Sequence, residues 1–380
     1  MPDQVTKVTK VGFGSRLGGS FKGIFFGILL FLASFVVIYW NEGRVDVSEI
    51  ANTAIEISAT EQNTDAALEG QLVSMTGLLQ TEDIIGDGLY LEPGNFVRVY
   101  RRVEMFAWKE NSDSKTTTNL GGSQTTETTY TYTKEWSVTP QSSSSFEEVE
   151  GHTNSEKAIE DKTVTASNAI VGIYVVQPDK MQLPATTLLT LDDKIVNIST
   201  TNLISSSTPK TVREGNYIFV GEGTLSNPEV GDLRIQYEVL RPGSSVTAFG
   251  KLSGNSLVSY TDKDGTILYR ALAESREDAV STMHSEYTLW LWIFRIVGFL
   301  MMWIGLSSIL APISVLFDIL PALGSISRSL VGGITFVIAL ILSGLAIIIS
   351  MLLHSLVALI ILGVVGIGAA VWFVKKKMRS

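Results

Sequence analysis

The sequence predicts a membrane protein of mixed α and β structure, with four transmembrane helices around a large β-rich extramembrane domain. One helix is N-terminal and three are C-terminal. Residues 329–374 carry no charged side chain apart from His354 over about 46 residues, whereas one helix needs only ~20 to cross the hydrocarbon core. Two more apolar stretches, 23–40 and 289–311, flank a long segment with the alternation of strands.

The predicted organisation follows the chain. It consists of a basic cytoplasmic N-terminus (1–22), a first transmembrane helix (23–40), the β-rich domain on the far side of the membrane (41–288), a second helix (289–311), a cytoplasmic-side connector (312–328), a third helix (329–350), a fourth helix (354–374) and a basic cytoplasmic tail (375–380). The first apolar run is interpreted as an uncleaved span and not as a secretory signal, because Trp40 to Arg44 follow it in place of a small-residue cleavage site. Basic residues at both ends place both termini in the cytoplasm, which requires an even number of spans.

Two sets of residues are candidates for membrane contacts. Aromatic and basic side chains near the span ends are predicted interface anchors: Trp40, Arg44, Trp290, Trp292, Arg295, Trp372, Lys375, Lys376 and Lys377. Small residues at close helical spacing permit tight helix packing, either within one bundle or between subunits: Gly19, Gly23, Gly27, Ser329, Gly333, Gly363, Gly366 and Ala370.

Strand patterns dominate the segment between the first two spans. Residues 96–108 and 130–136 predict a long hairpin, and the Ser/Thr/Gly-rich stretch 111–127 predicts a flexible tip. Further strands are predicted at 170–176, 217–221, 232–240 and 246–252, and amphipathic helices at 47–58 and 271–287.

Composition excludes several chemistries. The net charge of −9, with basic residues clustered outside the spans at the chain ends, argues against nucleic acid as a partner. The chain has no cysteine, which excludes disulfides, thiolate nucleophiles and Cys-ligated zinc. Its histidines, at 152, 284 and 354, lack companions at metal-ligand spacing, so neither a metal nor a cofactor is expected.

A carboxylate pair is the remaining enzymatic hypothesis. Glu104, Glu110 and Glu135 could meet across the hairpin, as in a glycosidase. The favoured interpretation is a solvated strand face, with these acids as cross-strand partners of Arg101, Arg102 and Lys134.

Five stretches carry a family resemblance. They are Trp40-Asn41-Glu42-Gly43-Arg44, the run from Arg101 to Glu110, Tyr130 to Trp136, Gly151-His152-Thr153-Asn154, and Gly231-Asp232-Leu233-Arg234. Together with the arrangement of spans, they resemble the transmembrane protein forty-three family, also called LUMA. The resemblance covers nearly the whole chain and marks twelve positions as structural: Asn41, Glu42, Arg101, Arg102, Glu104, Met105, Trp108, Tyr130, Trp136, His152, Asp232 and Arg234.

The resemblance implies a four-span protein that organises membrane proteins and self-associates, and it brings no catalytic residues. The predicted function is a non-enzymatic membrane scaffold whose partners are the lipid bilayer, further copies of itself and other membrane proteins. An oligomeric channel or transporter component is the alternative. The absence of cysteine favours a bacterial member of the family, located in a bacterial inner membrane. The endoplasmic reticulum or inner nuclear membrane is the alternative location.

Overall fold

The computed structural model describes residues 3–61, 66–198 and 210–354. The predicted fourth helix beyond His354 and the basic tail therefore lie outside the described residues. Four helices have these bounds in the described ranges: α1 (Phe13–Glu42), α2 (Val47–Asn52), α3 (Arg276–Phe317) and α4 (Pro321–His354). Three helical segments among the described residues are long and apolar enough to cross a membrane, Phe13–Asn52, Arg276–Phe317 and Pro321–His354.

The strands fill most of the chain between α1 and α3, as predicted, with one strand before α1. The first ten are β1 (Gln4–Val11), β2 (Ile55–Glu56), β3 (Leu72–Gln80), β4 (Ile84–Ile85), β5 (Gly94–Asn95), β6 (Arg98–Thr118), β7 (Gln124–Ser137), β8 (Lys162–Thr165), β9 (Ala169–Val171) and β10 (Tyr174–Val176). They continue with β11 (Thr187–Leu188), β12 (Lys210–Glu214), β13 (Tyr217–Gly221), β14 (Leu233–Leu240), β15 (Ser245–Ser253), β16 (Ser256–Val258), β17 (Tyr260–Thr261), β18 (Ile267–Leu268) and β19 (Arg270–Leu272).

The described residues form two compact units. The β unit comprises those within Met1–Thr6, Asp46–Asp113 and Thr129–His284, and the helical unit those within Lys7–Val45, Ser114–Thr128 and Ser285–Ser380.

Two larger sheets organise the strands. The first has the order β1-β7-β6-β14-β13-β12, with β8 paired to β6 and β11 to β14. The second has the order β19-β15-β16-β10-β9-β3-β2, and an additional β15–β3 pairing closes five of its strands into a ring. Val73, Met75, Val171 and Val246 belong to the buried cluster of this ring.

The first sheet buries one face. In β14 the buried residues alternate with half-buried ones, and Ile235 pairs with Val103 of β6. Both belong to a buried cluster with Met105 and Tyr237. A period of two puts alternate side chains on one face, so this apolar pattern fixes which face of β6 and β14 is covered.

Several predicted boundaries were wrong in the helical elements. The connector at 312–328 is reduced to the short break between Phe317 and Pro321, because Pro312 lies inside α3 and Pro321 is the first residue of α4. Proline suits a first helical position, where its missing N–H is not needed, and it is tolerated inside membrane helices.

The two predicted amphipathic helices are shorter at one end. The helix expected at 47–58 ends at Asn52, and a two-residue strand follows it. Its start is set by Asp46, whose carboxylate accepts from the backbone N–H of Ser48 at 2.9 Å. The helix expected from 271 starts at Arg276, because β19 occupies residues 270–272.

The hairpin of β6 and β7 is longer than predicted. Residues 111–127 were expected to form a flexible tip, yet β6 continues to Thr118 and β7 begins at Gln124. Hydroxyl pairs join the strands, among them Ser114 with Thr128 at 2.9 Å. Threonine favours extended backbone and pairs across strands, so a Thr-rich stretch extends the ladder where composition suggested a loop.

The N-terminal segment is also not a simple basic tail. Residues 4–11 form β1, which pairs with β7 in the first sheet, and α1 begins at Phe13. Residues 4–6 belong to the β unit and residues 7–11 to the helical unit, whereas the prediction placed them all in a basic tail. The β-branched valines and threonines of Gln-Val-Thr-Lys-Val-Thr-Lys-Val carried this signal, but its lysines were counted only as topology markers.

Candidate functional site

One end of the helical unit holds three of the nine predicted interface anchors, Trp40, Arg44 and Arg295. Together with Asn41, Glu42, Tyr287 and Phe294 they form a group that we call the interface collar.

A buried ion pair forms the centre of the collar. Nε and Nη2 of Arg295 in α3 donate to the two carboxylate oxygens of Glu42 in the last turn of α1, each at 2.8 Å. The Glu42 side chain is 3% exposed. Beside it, Asn41 donates from Nδ2 to the carbonyl oxygen of Leu291 at 3.0 Å. These bonds tie α1 to α3; the sequence identified Arg295 as an anchor but did not identify Glu42 as its partner.

Arg44 lies among aromatic rings. The centre of its guanidinium is 5.7 Å from the ring centroids of Trp40 and Phe294, and 5.9 Å from that of Tyr287. The Tyr287 hydroxyl donates to the Arg44 carbonyl oxygen at 3.3 Å. Such an arrangement stabilises a cation through the electron-rich ring faces.

The end of α4 meets the collar at Gly43. A Cβ atom at this position would lie 2.4 Å from Nε2 of His354, which explains the need for glycine. The His354 ring lies 4.4 Å from that of Tyr39, centroid to centroid, and its Nδ1 is 2.8 Å from the Ser350 carbonyl oxygen. His354 therefore packs against α1 as a structural residue.

A second charge cluster lies at the start of α1. Asp318, which is fully buried, accepts hydrogen bonds from Arg16 and Arg328. Arg16 also donates to the carbonyl oxygen of Gly122 in the hairpin tip. The N–H of Gly121 donates to the Ile319 carbonyl oxygen at 3.1 Å. The sequence marked Asp318 only as a connector residue and did not predict these contacts.

The predicted anchors differ in their surroundings. Trp40, Trp290 and Trp292 are 56%, 49% and 56% exposed, which is the arrangement of side chains that meet lipid headgroups. Arg295 has its guanidinium 5.0 Å from the Trp292 ring centroid in addition to its ion pair. The anchors Trp372, Lys375, Lys376 and Lys377 lie outside the described residues.

Of the small residues predicted for packing, Gly27 lies in a helix contact. A Cβ there would lie 2.7 Å from the Gly305 carbonyl oxygen of α3. For Gly19, Gly23 and Gly333, nothing among the described residues lies within 4 Å of such an atom, which does not match a packing role in this part of the chain.

Ser329 and Gly298 are two further small residues of the membrane helices. Ser329 lines an apolar groove on α4 together with Gly333. Gly298 was not predicted, although a Cβ there would lie 2.5 Å from Ile38. The other predicted packing residues, Gly363, Gly366 and Ala370, lie outside the described residues.

In the β unit, Arg101 belongs to a buried network. Its Nη1 donates to Asp87 at 2.9 Å, and the Tyr237 hydroxyl donates to the same carboxylate oxygen at 2.7 Å. The other Asp87 oxygen accepts from the backbone N–H groups of Leu89 and Leu91, each at 2.9 Å. The sequence expected Arg101 to pair with a neighbouring strand glutamate, which is wrong because its side chain points into the core.

Glu104 pairs across the sheet with Arg234. The two residues are opposite in the register of β6 and β14, and Arg234 Nε donates to Glu104 Oε2 at 2.5 Å. Arg102 approaches the other oxygen at 3.4 Å. The Arg234 guanidinium also lies 4.7 Å from the Trp136 ring centroid and 5.1 Å from that of Tyr217.

Three resemblance stretches meet around His152, which is buried. Its ring stacks on Tyr132 at 3.9 Å and meets Trp108 edge-on at 4.7 Å, centroid to centroid. Asn154 exchanges two hydrogen bonds with the Trp108 backbone, at 2.7 and 2.8 Å. Burial and a hydrogen bond to Glu110 raise the pKa of Tyr132 to about 12. These contacts hold the loop around His152 against β6 and β7.

The remaining marked positions are structural as well. Asp232 accepts from the backbone N–H groups of Glu222, Gly223 and Glu229 at 3.0, 3.2 and 2.7 Å, which holds the turn before β14. Met105 is fully buried, and Tyr130 is half-buried on β7.

The carboxylate-pair hypothesis finds no arrangement to support it. Glu104 is bound to Arg234, Glu110 accepts from the Tyr132 hydroxyl at 2.7 Å, and Glu135 pairs with Lys109 at 2.9 Å. In the described part of the chain, no group of three or more His, Cys, Asp or Glu residues is placed to hold a metal ion.

A β-rich unit whose chain is inserted between the first and second of three membrane-length helices defines the class: an integral membrane protein with a large β-rich domain. The family described as Transmembrane protein 43 matches residues 105–356 of the 380. Because this range exceeds half of the chain, the protein belongs to the Transmembrane protein 43 family, as its resemblance predicted.

Curated relatives agree with this assignment. The chain is similar to Transmembrane protein 43 of Rattus norvegicus, with 28% identity over 336 residues, covering 84% of this chain and 81% of the relative. The Homo sapiens protein is 28% identical over 337 residues with the same coverage. The Drosophila melanogaster homolog is 27% identical over 310 residues, which is 78% of this chain and 79% of the homolog. No solved structure matches, and these animal relatives give no support to the expected bacterial source.

Proposed function

We propose that this protein is a non-enzymatic membrane organiser that self-associates and binds other membrane proteins by strand addition to β1. The observation that carries the proposal is a sheet edge with which no further described strand pairs. β1 is the terminal strand of the first sheet, and every residue in it except Val5 is exposed. An edge strand presents unpaired backbone donors and acceptors, which a strand of another chain can satisfy.

The side chains of β1 support this use. Val8 is 63% exposed and Val11 41% exposed, so the edge offers apolar contacts as well as backbone groups. Lys10 places positive charge on the same strand, which disfavours indiscriminate pairing and selects a partner with acidic or neutral side chains opposite.

The direction of the free backbone groups follows from one hydrogen bond. The Tyr132 N–H donates to the Asp3 carbonyl oxygen at 2.9 Å, so the backbone groups of Asp3 point toward β7. Because direction alternates along a strand, those of Thr9 point toward β7 and those of Val8 point to the open edge.

This alternation provides a matched pair of variants. Proline lacks the backbone N–H, so Val8→Pro removes a donor at the open edge, whereas Thr9→Pro removes one from the β1–β7 ladder. We expect mass photometry of the full-length protein in nanodiscs to show a multimer, which Val8→Pro reduces to a monomer without lowering the melting temperature. Thr9→Pro is expected to lower the melting temperature. A monomeric wild-type protein, or a Val8→Pro variant that stays multimeric, contradicts the proposal.

The channel or transporter alternative has less support. Ion handling within a membrane uses charged groups along a path, whereas Glu42 and Arg295, and Asp318 with Arg16 and Arg328, are paired with one another.

The location of the protein is proposed from its relatives. Because the relatives compared are animal proteins, we place the protein in the endoplasmic reticulum or inner nuclear membrane in place of a bacterial membrane. The tail 375–380 keeps its cytoplasmic side in the proposal.

A further inference from the structure

Arg44 of the collar has no ion-pair partner among the described residues. Glu42, the acidic residue of the stretch Trp40 to Arg44, has both carboxylate oxygens bound to Arg295. Arg44 is surrounded instead by the rings of Trp40, Tyr287 and Phe294. Its Nη1 is buried and has no hydrogen-bond partner among the described residues. A buried donor without an acceptor is costly, more so when it carries charge.

A second unpartnered group lies one helical turn away. Asn41 is fully buried; its Nδ2 donates to Leu291, while its Oδ1 has no partner among the described residues. The collar thus presents an unsatisfied charged donor and an unsatisfied acceptor on the same stretch of chain. A ligand that satisfies Arg44 must carry an anionic acceptor.

The tryptophans around the collar indicate that this ligand is a lipid headgroup. Trp40, Trp290 and Trp292 are about half exposed, as are side chains at the level of lipid headgroups. A guanidinium matches phosphate oxygens in a bidentate geometry and stacks on aromatic rings at the same time. We propose that Arg44 binds the phosphate of one anionic phospholipid, such as phosphatidylglycerol, at the collar. This site does not depend on self-association through β1.

Native mass spectrometry of the full-length protein, delipidated in mild detergent, tests the proposal. The probes are phosphatidylglycerol, phosphatidylcholine and diacylglycerol with identical acyl chains, added one at a time. We expect one retained phospholipid on the wild-type protein, with phosphatidylglycerol retained best and diacylglycerol about tenfold less. A tenfold change is the effect of one lost charge-assisted hydrogen bond.

The variants separate the headgroup contact from general lipid adhesion. Arg44→Gln is expected to reduce phospholipid retention about tenfold and leave diacylglycerol unchanged, whereas Arg44→Lys, which keeps charge but loses the planar fork, gives an intermediate value. Arg102→Gln, at a 44%-exposed arginine side chain of the β unit, serves as the matched control and retains lipid as the wild type does.

Folding of each variant is checked by its melting temperature, and phosphatidylglycerol is expected to raise that temperature for the wild type but not for Arg44→Gln. If Arg44→Gln does not fold, the proposal is tested by comparing the phospholipid retention of Arg44→Lys with that of the wild type. Equal retention of phosphatidylglycerol by the arginine variants and the wild type, or equal retention of diacylglycerol and phosphatidylglycerol by the wild type, overturns the proposal.

Discussion

The β unit and the helical unit bury acidic side chains in different ways. In the β unit, Asp87 accepts from three backbone N–H groups, of Leu89, Tyr90 and Leu91, and from the side chains of Tyr237 and Arg101. In the helical unit, Glu42 and Asp318 are held in the structure by arginine side chains.

The number of backbone N–H groups that are free to donate to a carboxylate explains the difference. A turn such as the one after Asp87 has N–H groups that no ladder uses, and a carboxylate can collect them. Inside a helix nearly every N–H already bonds to the carbonyl group four residues earlier, so Glu42 needs side-chain donors. Asp318 lies in the break between α3 and α4, where the N–H groups of Asp318 and Leu320 bond to the carbonyl oxygens of Val315 and Phe317. Those donors come from another helix or a distant segment. The buried charges of the helical unit therefore determine which helices stay together, while those of the β unit shape a loop.

The largest expected effect is the loss of one member of the collar ion pair. Arg295→Leu leaves the Glu42 side chain, 3% exposed, without its partner. The free energy of unfolding is expected to fall by about 3–5 kcal/mol, because an uncompensated buried charge is left behind. Titration with a denaturing detergent, followed by tryptophan fluorescence, measures this.

The double variant Glu42→Leu/Arg295→Leu is the diagnostic control, and it is expected to recover most of the loss because no unpaired charge remains. Arg102→Leu, which removes an exposed partner of Glu104, is expected to cost less than about 1 kcal/mol. A double variant as unstable as Arg295→Leu would show that packing, and not charge pairing, joins α1 to α3.

The next effect concerns the helix crossing between α1 and α3. Gly27→Leu forces side-chain atoms into the Gly305 carbonyl oxygen, which lies 2.7 Å from the position of a Cβ atom. We expect a loss of about 1–3 kcal/mol by overpacking, measured by the same titration. Gly23→Leu, on the same helix but with open space among the described residues, is the matched control. Equal stability of the two variants would mean that the crossing is not tight.

A smaller effect is expected at Asp87. Asp87→Asn keeps an oxygen for backbone donors but places an NH₂ group where the hydroxyl of Tyr237 and Nη1 of Arg101 donate, so we expect a loss of about 1–3 kcal/mol in the β unit. Circular dichroism during denaturant titration measures it.

The pH dependence of this site has a defined sign. Burial raises the pKa of the Asp87 carboxyl, but hydrogen bonds from Tyr237, Leu89, Leu91 and Arg101 together bring the pKa below its ordinary value. A depressed pKa adds stability above the unfolded-state pKa, and this stability is lost as pH falls through the folded-state pKa. The Asp87→Asn variant should therefore lose less stability than wild type on acidification. An identical slope in both proteins would contradict the assignment.

The β-rich character and the membrane helices followed from local pattern, because hydropathy and alternation depend on near neighbours in the chain. The strands at 217–221, 232–240 and 246–252 appear within a residue or two of their predicted bounds. β1 was missed because its lysines were assigned a topological role. The connector was expected over 312–328, but α3 continues through Pro312 to Phe317 and α4 begins at Pro321.

The partners of the candidate sites could not be predicted in this way. Glu42 and Arg295 are separated by 253 positions, and Asp87 and Tyr237 by 150. Nothing in a single sequence links residues so far apart; only the pairing of strands and helices brings them together. The family resemblance marked Glu104, Trp108, His152 and Arg234, but it did not predict that Glu104 pairs with Arg234 or that Trp108 contacts His152.

The smallest expected effect tests whether the network around Asp87 is redundant. Tyr237→Phe removes one hydroxyl donor and leaves Asp87 with Arg101 and the three backbone N–H groups. Because no buried group loses its last partner, we expect a cost of about 1 kcal/mol at neutral pH, less than that of Asp87→Asn. The hydroxyl also lowers the pKa of Asp87, so its removal should shift the acid unfolding midpoint of the β unit to higher pH. Denaturant titrations over a range of acidic pH measure both quantities. A loss as large as the one expected for Arg295→Leu would mean that Asp87, like Glu42, depends on a single partner, and the contrast between the two units would not hold at this site.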